Sequence, residues 1–432
     1  MKNLWETTSV KPHFETLKGD KNTDVLIIGG GMAGVLCALE LHKAGADYIL
    51  VEADAIGSGV TKNTTAKITS QHGLIFDKLI NEFGVETARG YYEINQLALE
   101  RYRQMCQKID CDFEEKPNFV YSRSGLEKIE KEALAFEKIG VKAEFTQNTS
   151  LPFCVAGAVG LKEQAQFNPL KFLYAVAKGL NIYENSRVTQ MVGNTAITDN
   201  GKINAKRVIV ATHFPFINKH GMYFIKMYQH RSYVLGLSNA QNVDGMYVDE
   251  DLKGLSFRNY GELLLLGGGS HRTGKKGGNY NELREFAKRN YPNAKEEYYF
   301  ATQDCETLDS VPYIGKYSKG TENLYVATGF NKWGMTSSMV SAMLLKDEIL
   351  GVKNDYAEIF NPSRTMLRPQ LGINAFEAVS GLVMPTTKRC PHLGCGLKWN
   401  KHEHSWDCPC HGSRFSEDGK LLDNPSNGNL NN

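Results

Sequence analysis

Two rhythms of apolar residues run along this chain and divide it into recognisable stretches. Residues 24–28 (Asp-Val-Leu-Ile-Ile) are a short, mostly apolar run that enters a cluster of glycines. Residues 32–44 then space their apolar side chains as a helix does, up to Gly45, and residues 48–52 form a second apolar run. The order strand, glycine turn, helix, strand predicts a βαβ unit. Residues 77–145 read as mainly helical, and a second βαβ-like stretch follows, with a helix at 168–180, strands at 181–184 and 186–192, and a strand from Lys206 that ends in a turn near Pro215. From 221 to 300 aromatic and β-branched runs favour strands, interrupted by a helix around 281–290. Residues 323–351 predict a strand, a glycine turn and a helix of roughly fifteen residues. After that the character changes. Segment 361–389 holds Pro362, Pro369, Gly372, Gly381 and Pro385 with weak periodicity, and it reads as a linker with a few short strands.

Charge narrows the range of partners. Lys and Arg total 50 against 48 Asp and Glu, a formal charge of +2, so the whole chain lacks the field that holds nucleic acid or an anionic membrane; a small-molecule substrate fits better. No run approaches the ~18 uninterrupted apolar residues of a membrane span. The polar N-terminal stretch has no apolar core of a signal peptide, and the chain is expected to be cytoplasmic. Of nine cysteines, Cys37, Cys106, Cys111, Cys154 and Cys305 are scattered and read as small buried hydrophobes, whereas Cys390, Cys395, Cys408 and Cys410 fall within 21 residues.

The first glycine cluster carries chemistry. Gly29, Gly31 and Gly34 give G-x-G-x-x-G at the strand-to-helix turn, and Glu52 ends the next strand 18 residues after Gly34. The first glycine permits the turn, the second lets backbone approach a pyrophosphate, and the third lets helix and strand close up, with the helix N-terminus facing the phosphates. Glu52 would accept hydrogen bonds from ribose hydroxyls. A bare glycine turn is the plain alternative, which the strand, the helix and the acid at that distance argue against. The choice between FAD and NAD turns on number: the glycines at 267–269 lead into a basic, glycine-rich loop with no apolar helix after them, so a second dinucleotide fingerprint is missing and FAD is favoured.

These residues, with the stretches 56–73, 206–215, 303–315 and 327–338, resemble the FAD-dependent amine oxidoreductases of the D-amino-acid oxidase and glycine oxidase superfamily over nearly all of 1–360. The resemblance implies a glutathione-reductase-like FAD-binding βαβ domain built from about 20–90, 155–220 and 301–360, with an α+β substrate domain from about 91–154 and 221–300. It further implies that Gly57, Ser58, Gly59 and Thr61 close over the pyrophosphate and flavin edge, and that Val188 gives backbone contacts to adenine. Gly315, Gly329, Gly334, Met335 and Thr336 match the segment whose helix N-terminus points at the flavin ring.

The C-terminal cluster is the most specific pattern. Cys390-x-His392, fifteen residues, then Cys408-x-x-His411 supplies two loops, each with one thiolate and one imidazole. A Rieske [2Fe–2S] centre needs that division, with two sulfurs on one iron and two histidines on the other. Structural zinc is the alternative, but zinc sites usually present cysteine pairs and histidine pairs. The loops CPHLGC and CPCHGS resemble the Rieske proteins of cytochrome bc complexes. That resemblance implies a Cys395–Cys410 disulfide between the loops and a Ser413 hydrogen bond to a cluster sulfur. The chain departs from the pattern at Phe415, where the family has tyrosine, and in the shortness of the module, 366–432, whose loops are expected to lean on the 1–365 flavin part.

Two functions are compatible with this pair of cofactors. In the first, an amine or amino-acid-like substrate is oxidised by hydride transfer to flavin, and electrons pass through the cluster to an unidentified acceptor. In the second, the chain is a relay between a protein or nicotinamide partner and the cluster, without an amine substrate. Arg231, Tyr233, Arg258, His271 and Trp333 lie in segments expected to face the flavin, and Lys67 is expected near its edge. Each is equally readable as packing or solvated surface.

Overall fold

The computed structural model describes residues 3–277, 279–386 and 388–430. An eight-stranded sheet forms the first layer, with path Tyr313–Lys316, Leu324–Thr328, Gly201–Val210, Lys21–Ile28, Tyr48–Val51, Ile182–Tyr183, and the ribbon Val188–Val192/Thr195–Thr198 attached to Gly201–Val210. Its central strands are parallel, Lys21–Ile28 pairing with both Tyr48–Val51 and Gly201–Val210. They read as continuous apolar runs because helices cover the sheet, so both faces are dry. Helix Met32–Lys43 follows the glycine turn and packs against helix Gly334–Leu350, whose residues are also mostly buried.

A nine-stranded sheet forms the second layer. Its path runs Lys295–Thr307, Met227–Ser238, Leu263–Arg272, Ser256–Tyr260, Met246–Asp249, Glu114–Ser122, Gly157–Gln166, Lys67–Ile68, with Glu144–Thr146 added beside Gly157–Gln166. Residues 398–423 close a small antiparallel four-stranded sheet. The molecule is thus an α/β dinucleotide-type domain, an α+β domain and a β-rich C-terminal module.

Three elements differ from the pattern reading. Within 77–145, helices Phe76–Phe83, Val85–Cys106 and Leu126–Lys138 are present, but Glu114–Ser122 is a strand, its apolar end buried by neighbours on both sides that the local pattern does not reveal. Residues 223–226, inside a run read as strand, form a helical turn before the strand that starts at Met227. The proposed linker contains a four-turn helix, Pro369–Val383. Pro369 sits in its first turn, where no N–H is needed, so it starts the helix instead of breaking it.

Candidate cofactor, cluster and substrate sites

At the end of strand Lys21–Ile28 the chain turns at Gly29 with φ 112°, where a Cβ would lie 2.5 Å from the Ala211 carbonyl oxygen. A Cβ on Gly34 would meet the Gly29 oxygen at 1.9 Å, so only glycine lets the helix close on the turn. The helix starts after Gly31 without a side chain from Gly31 to cap it, so N–H groups of its first turn other than that of Met32 face a cavity of about 300 Å³ without an intrahelical partner. Met32 N–H donates to the Thr61 hydroxyl at 3.1 Å, which ties the 57–61 loop to this helix start. Gly29, Gly31, Glu52 and the loop residues Gly57, Ser58, Gly59 and Thr61 line the cavity, as do Val188, Gly334 and Met335. Helix Gly334–Leu350 is likewise uncapped by a side chain, so two positive helix ends converge on one space. Glu52 folds back on the turn, accepting from Gly30 N–H at 2.6 Å and Asp54 N–H at 3.0 Å, and burial pushes its carboxyl up.

Other residues matched to the cofactor stand behind this wall. Gly329, with φ 69°, leaves room for the Thr307 methyl, which a Cβ would meet at 2.3 Å. Thr336 donates to the Thr69 carbonyl at 2.8 Å and pins helix Gly334–Leu350 to the segment after Lys67–Ile68. Gly315 lies on strand Tyr313–Lys316 against Pro362, away from the cavity.

A second cavity of about 450 Å³ shares Thr64, Asp304, Lys332, Gly334 and Met335 with the first, so the two are contiguous. Lys67, Tyr233 and Trp333 line it. Burial, together with the Arg258 charge, pushes Lys67 down to about 7. His72 stacks on Trp333 at 5.1 Å and uses both ring nitrogens, toward Tyr91 Oη and the Thr69 carbonyl, and burial pushes it down to about 3. Two carboxyls not identified from the pattern also line it. Burial pushes Asp304 up to about 6 and Glu306 up to about 7, against the pull of Lys332. Their D-x-E spacing within strand Lys295–Thr307 puts both on one face, which strand period 2 would have revealed had the segment been read as a strand.

Arg231, Arg258 and His271 do not line either cavity. Arg231 faces the other side of its sheet, its Nε 2.9 Å from Glu403 Oε1 and its Nη2 on Glu403 Oε2, so its charge is already matched. Tyr233 donates to Glu403 Oε1 at 3.0 Å as well. Arg258 is fully buried, donates to the Ala66 carbonyl at 3.0 Å, and lies over Trp5 and Tyr260. His271 stacks on Tyr233, with Nδ1 3.3 Å from the Gly269 carbonyl.

The two C-terminal loops are built alike. Cys390 N–H donates to the Cys395 carbonyl and Gly394 N–H to the Cys390 carbonyl; Cys408 N–H donates to the Ser413 carbonyl and Gly412 N–H to the Cys408 carbonyl. These turns bring the His392 and His411 rings to 5.0 Å, nearly perpendicular. His392 Nε2 meets Asn218 Oδ1 at 2.9 Å, while its Nδ1 and both nitrogens of His411 are buried without a partner. Buried orphan nitrogens are costly unless something bonds them. The sulfurs of Cys390 and Cys408 are within hydrogen-bond reach of each other, and the Ser413 hydroxyl reaches Cys390. Two adjacent thiols and two free imidazoles in one pocket fit a histidine-ligated cluster.

The Cys395–Cys410 disulfide is corrected: all nine cysteines are free. The sulfurs of Cys395, Cys408 and Cys410 converge within 4.8 Å of one another, so Cys395 shares its neighbourhood with two thiols and no pair closes to the ~2.05 Å of an S–S bond.

The cluster loops lean on the flavin part. Gln229 donates to the His411 carbonyl at 2.6 Å and to the Asn424 carbonyl at 3.0 Å, and Gln303 donates to Gln229 Oε1 and to the Gly412 carbonyl. Asn424 in turn donates to the Thr212 and Phe214 carbonyls. The module segment from Leu421 to Asn427 thereby forms part of the wall of the first cavity.

A dinucleotide cradle and a two-thiol, two-imidazole pocket in one chain define a flavin and iron–sulfur oxidoreductase. Comparison with known proteins agrees. The family described as FAD dependent oxidoreductase matches residues 24–348, and Rieske [2Fe-2S] domain matches residues 366–432. The chain belongs to the FAD-dependent oxidoreductase family, with a C-terminal Rieske domain, and binds FAD and a [2Fe–2S] cluster. It is 35% identical to the putative Rieske 2Fe-2S iron-sulfur protein YhfW of Bacillus subtilis, over 98% of this chain and 95% of that protein. It is 29% identical to gamma-glutamylputrescine oxidoreductase of Escherichia coli over 46% of this chain and 50% of that one. In fold it is similar to glycine oxidase from Geobacillus kaustophilus, with TM-score 0.66 and 18% identity, covering 80% of this chain and 99% of that one. No helix among the described residues is long and apolar enough to cross a membrane.

Proposed function

We propose that the chain oxidises an amine or amino-acid-like substrate in the second cavity and delivers the electrons through the Rieske cluster to a separate acceptor. The observation that carries this reading is the shared wall: one cavity adjoins the other, and the cluster module closes part of the first. When bound, FAD would take a hydride from the substrate's α-carbon and release electrons singly to an iron–sulfur acceptor.

The chain's own residues divide the remaining work. Gly29, Gly31 and Gly34 with the first turn of helix Met32–Lys43 hold the pyrophosphate, and Glu52 receives the ribose hydroxyls. Gly57, Ser58, Gly59 and Thr61 cover the phosphates, Val188 borders adenine, and Gly334 and Met335 bring the second helix dipole to the ring; Gly329 and Thr336 shape that wall from behind, whereas Gly315 stands away from it against Pro362. Cys390, Cys408, His392 and His411 hold the cluster. Asp304 and Glu306 attract a substrate ammonium, and Glu306, pushed up to about 7, takes its proton so that a neutral amine reacts. Lys332 supplies positive charge in the same cavity, suited to a substrate carboxylate, and Lys67, pushed down to about 7 by burial, adds a hydrogen-bond donor beside it. The similarity to gamma-glutamylputrescine oxidoreductase and to glycine oxidase supports an amine or amino acid as the substrate.

Anaerobic absorbance scans of the holoprotein against a panel of amines and amino acids test the reading, with flavin and cluster bands followed together. Bleaching by at least one amine is expected. Bleaching by NADH or NADPH with every amine inert would replace this reading with the relay.

A further inference from the structure

Helix Pro369–Val383 leads directly into the first cluster loop. Its inner side is fastened to the molecule: Asn374 accepts from Arg272 and donates to the Ile225 carbonyl, and Glu377 pairs with Lys275. Gly381 lies against Cys410, whose sulfur would sit 2.2 Å from an added Cβ. The outer side is different. Its exposed residues are Pro369, Gly372, Ile373, Phe376, Val379, Leu382 and Val383, and none carries a polar side chain. Phe376 is 71% and Val383 75% exposed. The spacing 373, 376, 379, 383 keeps them on one helix face.

This face continues into the cluster loop. Arg389 donates to the Leu382 and Met384 carbonyls at the helix end and to the Gly394 carbonyl in the loop, locking the two together. Leu393, next to His392, is exposed and extends the apolar surface. A contiguous apolar face of this kind marks an interaction site.

Charge selects the occupant. Residues 384–400 carry Lys388, Arg389 and Lys398 and no acid, and exposed Lys219 follows Asn218, the partner of His392. The chain as a whole is close to neutral, so this basic rim is local. A second copy packed about a two-fold axis would set the rim against itself. A protein partner would ordinarily exchange hydrogen bonds across the contact, and the exposed residues of the outer helix face offer no side-chain donor or acceptor, the half-buried Ser380 hydroxyl being turned to the Glu377 carbonyl. We propose that this face seats on an anionic lipid bilayer surface, with the helix in the interfacial plane and the basic rim over the headgroups. The His392 edge of the cluster loops would then lie at the membrane interface.

The test uses full-length holoprotein floated through a sucrose gradient with vesicles of phosphatidylcholine and phosphatidylglycerol at roughly 3:1, and with phosphatidylcholine alone. Flotation with the anionic vesicles is expected, weakening at high salt. The triple variant Phe376→Ser, Val379→Ser, Val383→Ser should lower the bound fraction by about tenfold or more, with flavin and cluster absorbance retained, while Val10→Ser, exposed elsewhere, floats as wild type. If the triple variant loses its chromophores, Phe376→Ser alone replaces it and should lower binding severalfold. Failure of the wild type to float overturns the proposal. So does flotation unaffected by these substitutions, or a dimer in light scattering that the same substitutions dissociate without any vesicle binding, which would assign the face to a second copy.

Discussion

Replacing Glu403 by Gln should loosen the cluster module from the flavin part by about 3 kcal/mol at neutral pH. The Glu403 side chain is 2% exposed and stands between Arg231, on the strand Met227–Ser238, and Arg414 of the module, at 3.0 Å from the latter, with Tyr233 Oη also on it. Burial alone would raise its carboxyl; Arg231 and Arg414 outweigh burial and hold it down at about 2. Against an ordinary value of 4.5, at ~1.36 kcal/mol per pH unit, that difference corresponds to about 3 kcal/mol, within the ~3–5 kcal/mol typical of breaking a buried pair. The folded-state value is depressed, so this stability is present in full above about pH 4.5 and drains as pH falls toward 2. It should be less than half as large at pH ~3 as at pH ~7. Urea titration that follows cluster absorbance and flavin fluorescence separately measures it. In a calorimeter, unfolding of the whole chain in one step would move Tm by about 3–4 °C. A Gln variant within about 0.5 kcal/mol of wild type at pH 7, or a deficit that stays constant between pH 5 and 3, would refute the reasoning.

Three further outcomes follow from single residues. Gly34→Ala puts a Cβ 1.9 Å from the Gly29 oxygen, so the purified variant should lose the yellow chromophore, with FAD affinity down by about a hundredfold or more in fluorescence titration. His392→Ala should abolish the EPR signal of the reduced cluster while flavin absorbance persists. Lys67→Met should raise Tm at pH 7. Because Lys67's folded value is pushed down from 10.5 to about 7, the unfolded chain binds more protons between those limits, and the gain should fade as pH approaches 10.5 in a fluorimetric melt series.

What could be read from sequence was local chemistry at short spacing. Gly29, Gly31 and Gly34, and the Cys390/His392 and Cys408/His411 pairs, announce themselves because each motif lies within one turn or loop. Sheet facing is a different matter. Arg231 and Gln303 are register partners that turn toward the module, whereas His230 and Asp304, one residue away, belong to the opposite side. A single step along a strand exchanges faces, and nothing local told which face would be the cavity. Glu403, in a loop rich in Lys and His, looks solvated, and only the docking of the module buries it. Helix Pro369–Val383 was hidden by its glycines and its proline: Pro369 belongs to a helix start, and Gly381 is small because Cys410 of the second cluster loop lies against it.

The decisive measurement is anaerobic stopped-flow mixing of holoprotein with a reducing amine, following flavin bleaching and cluster reduction in the same trace at several protein concentrations. If the two sites are in electronic contact within one chain, the cluster becomes reduced after the flavin at a rate independent of protein concentration. A flavin that bleaches while the cluster stays oxidised, or cluster reduction that scales with protein concentration, would contradict that account.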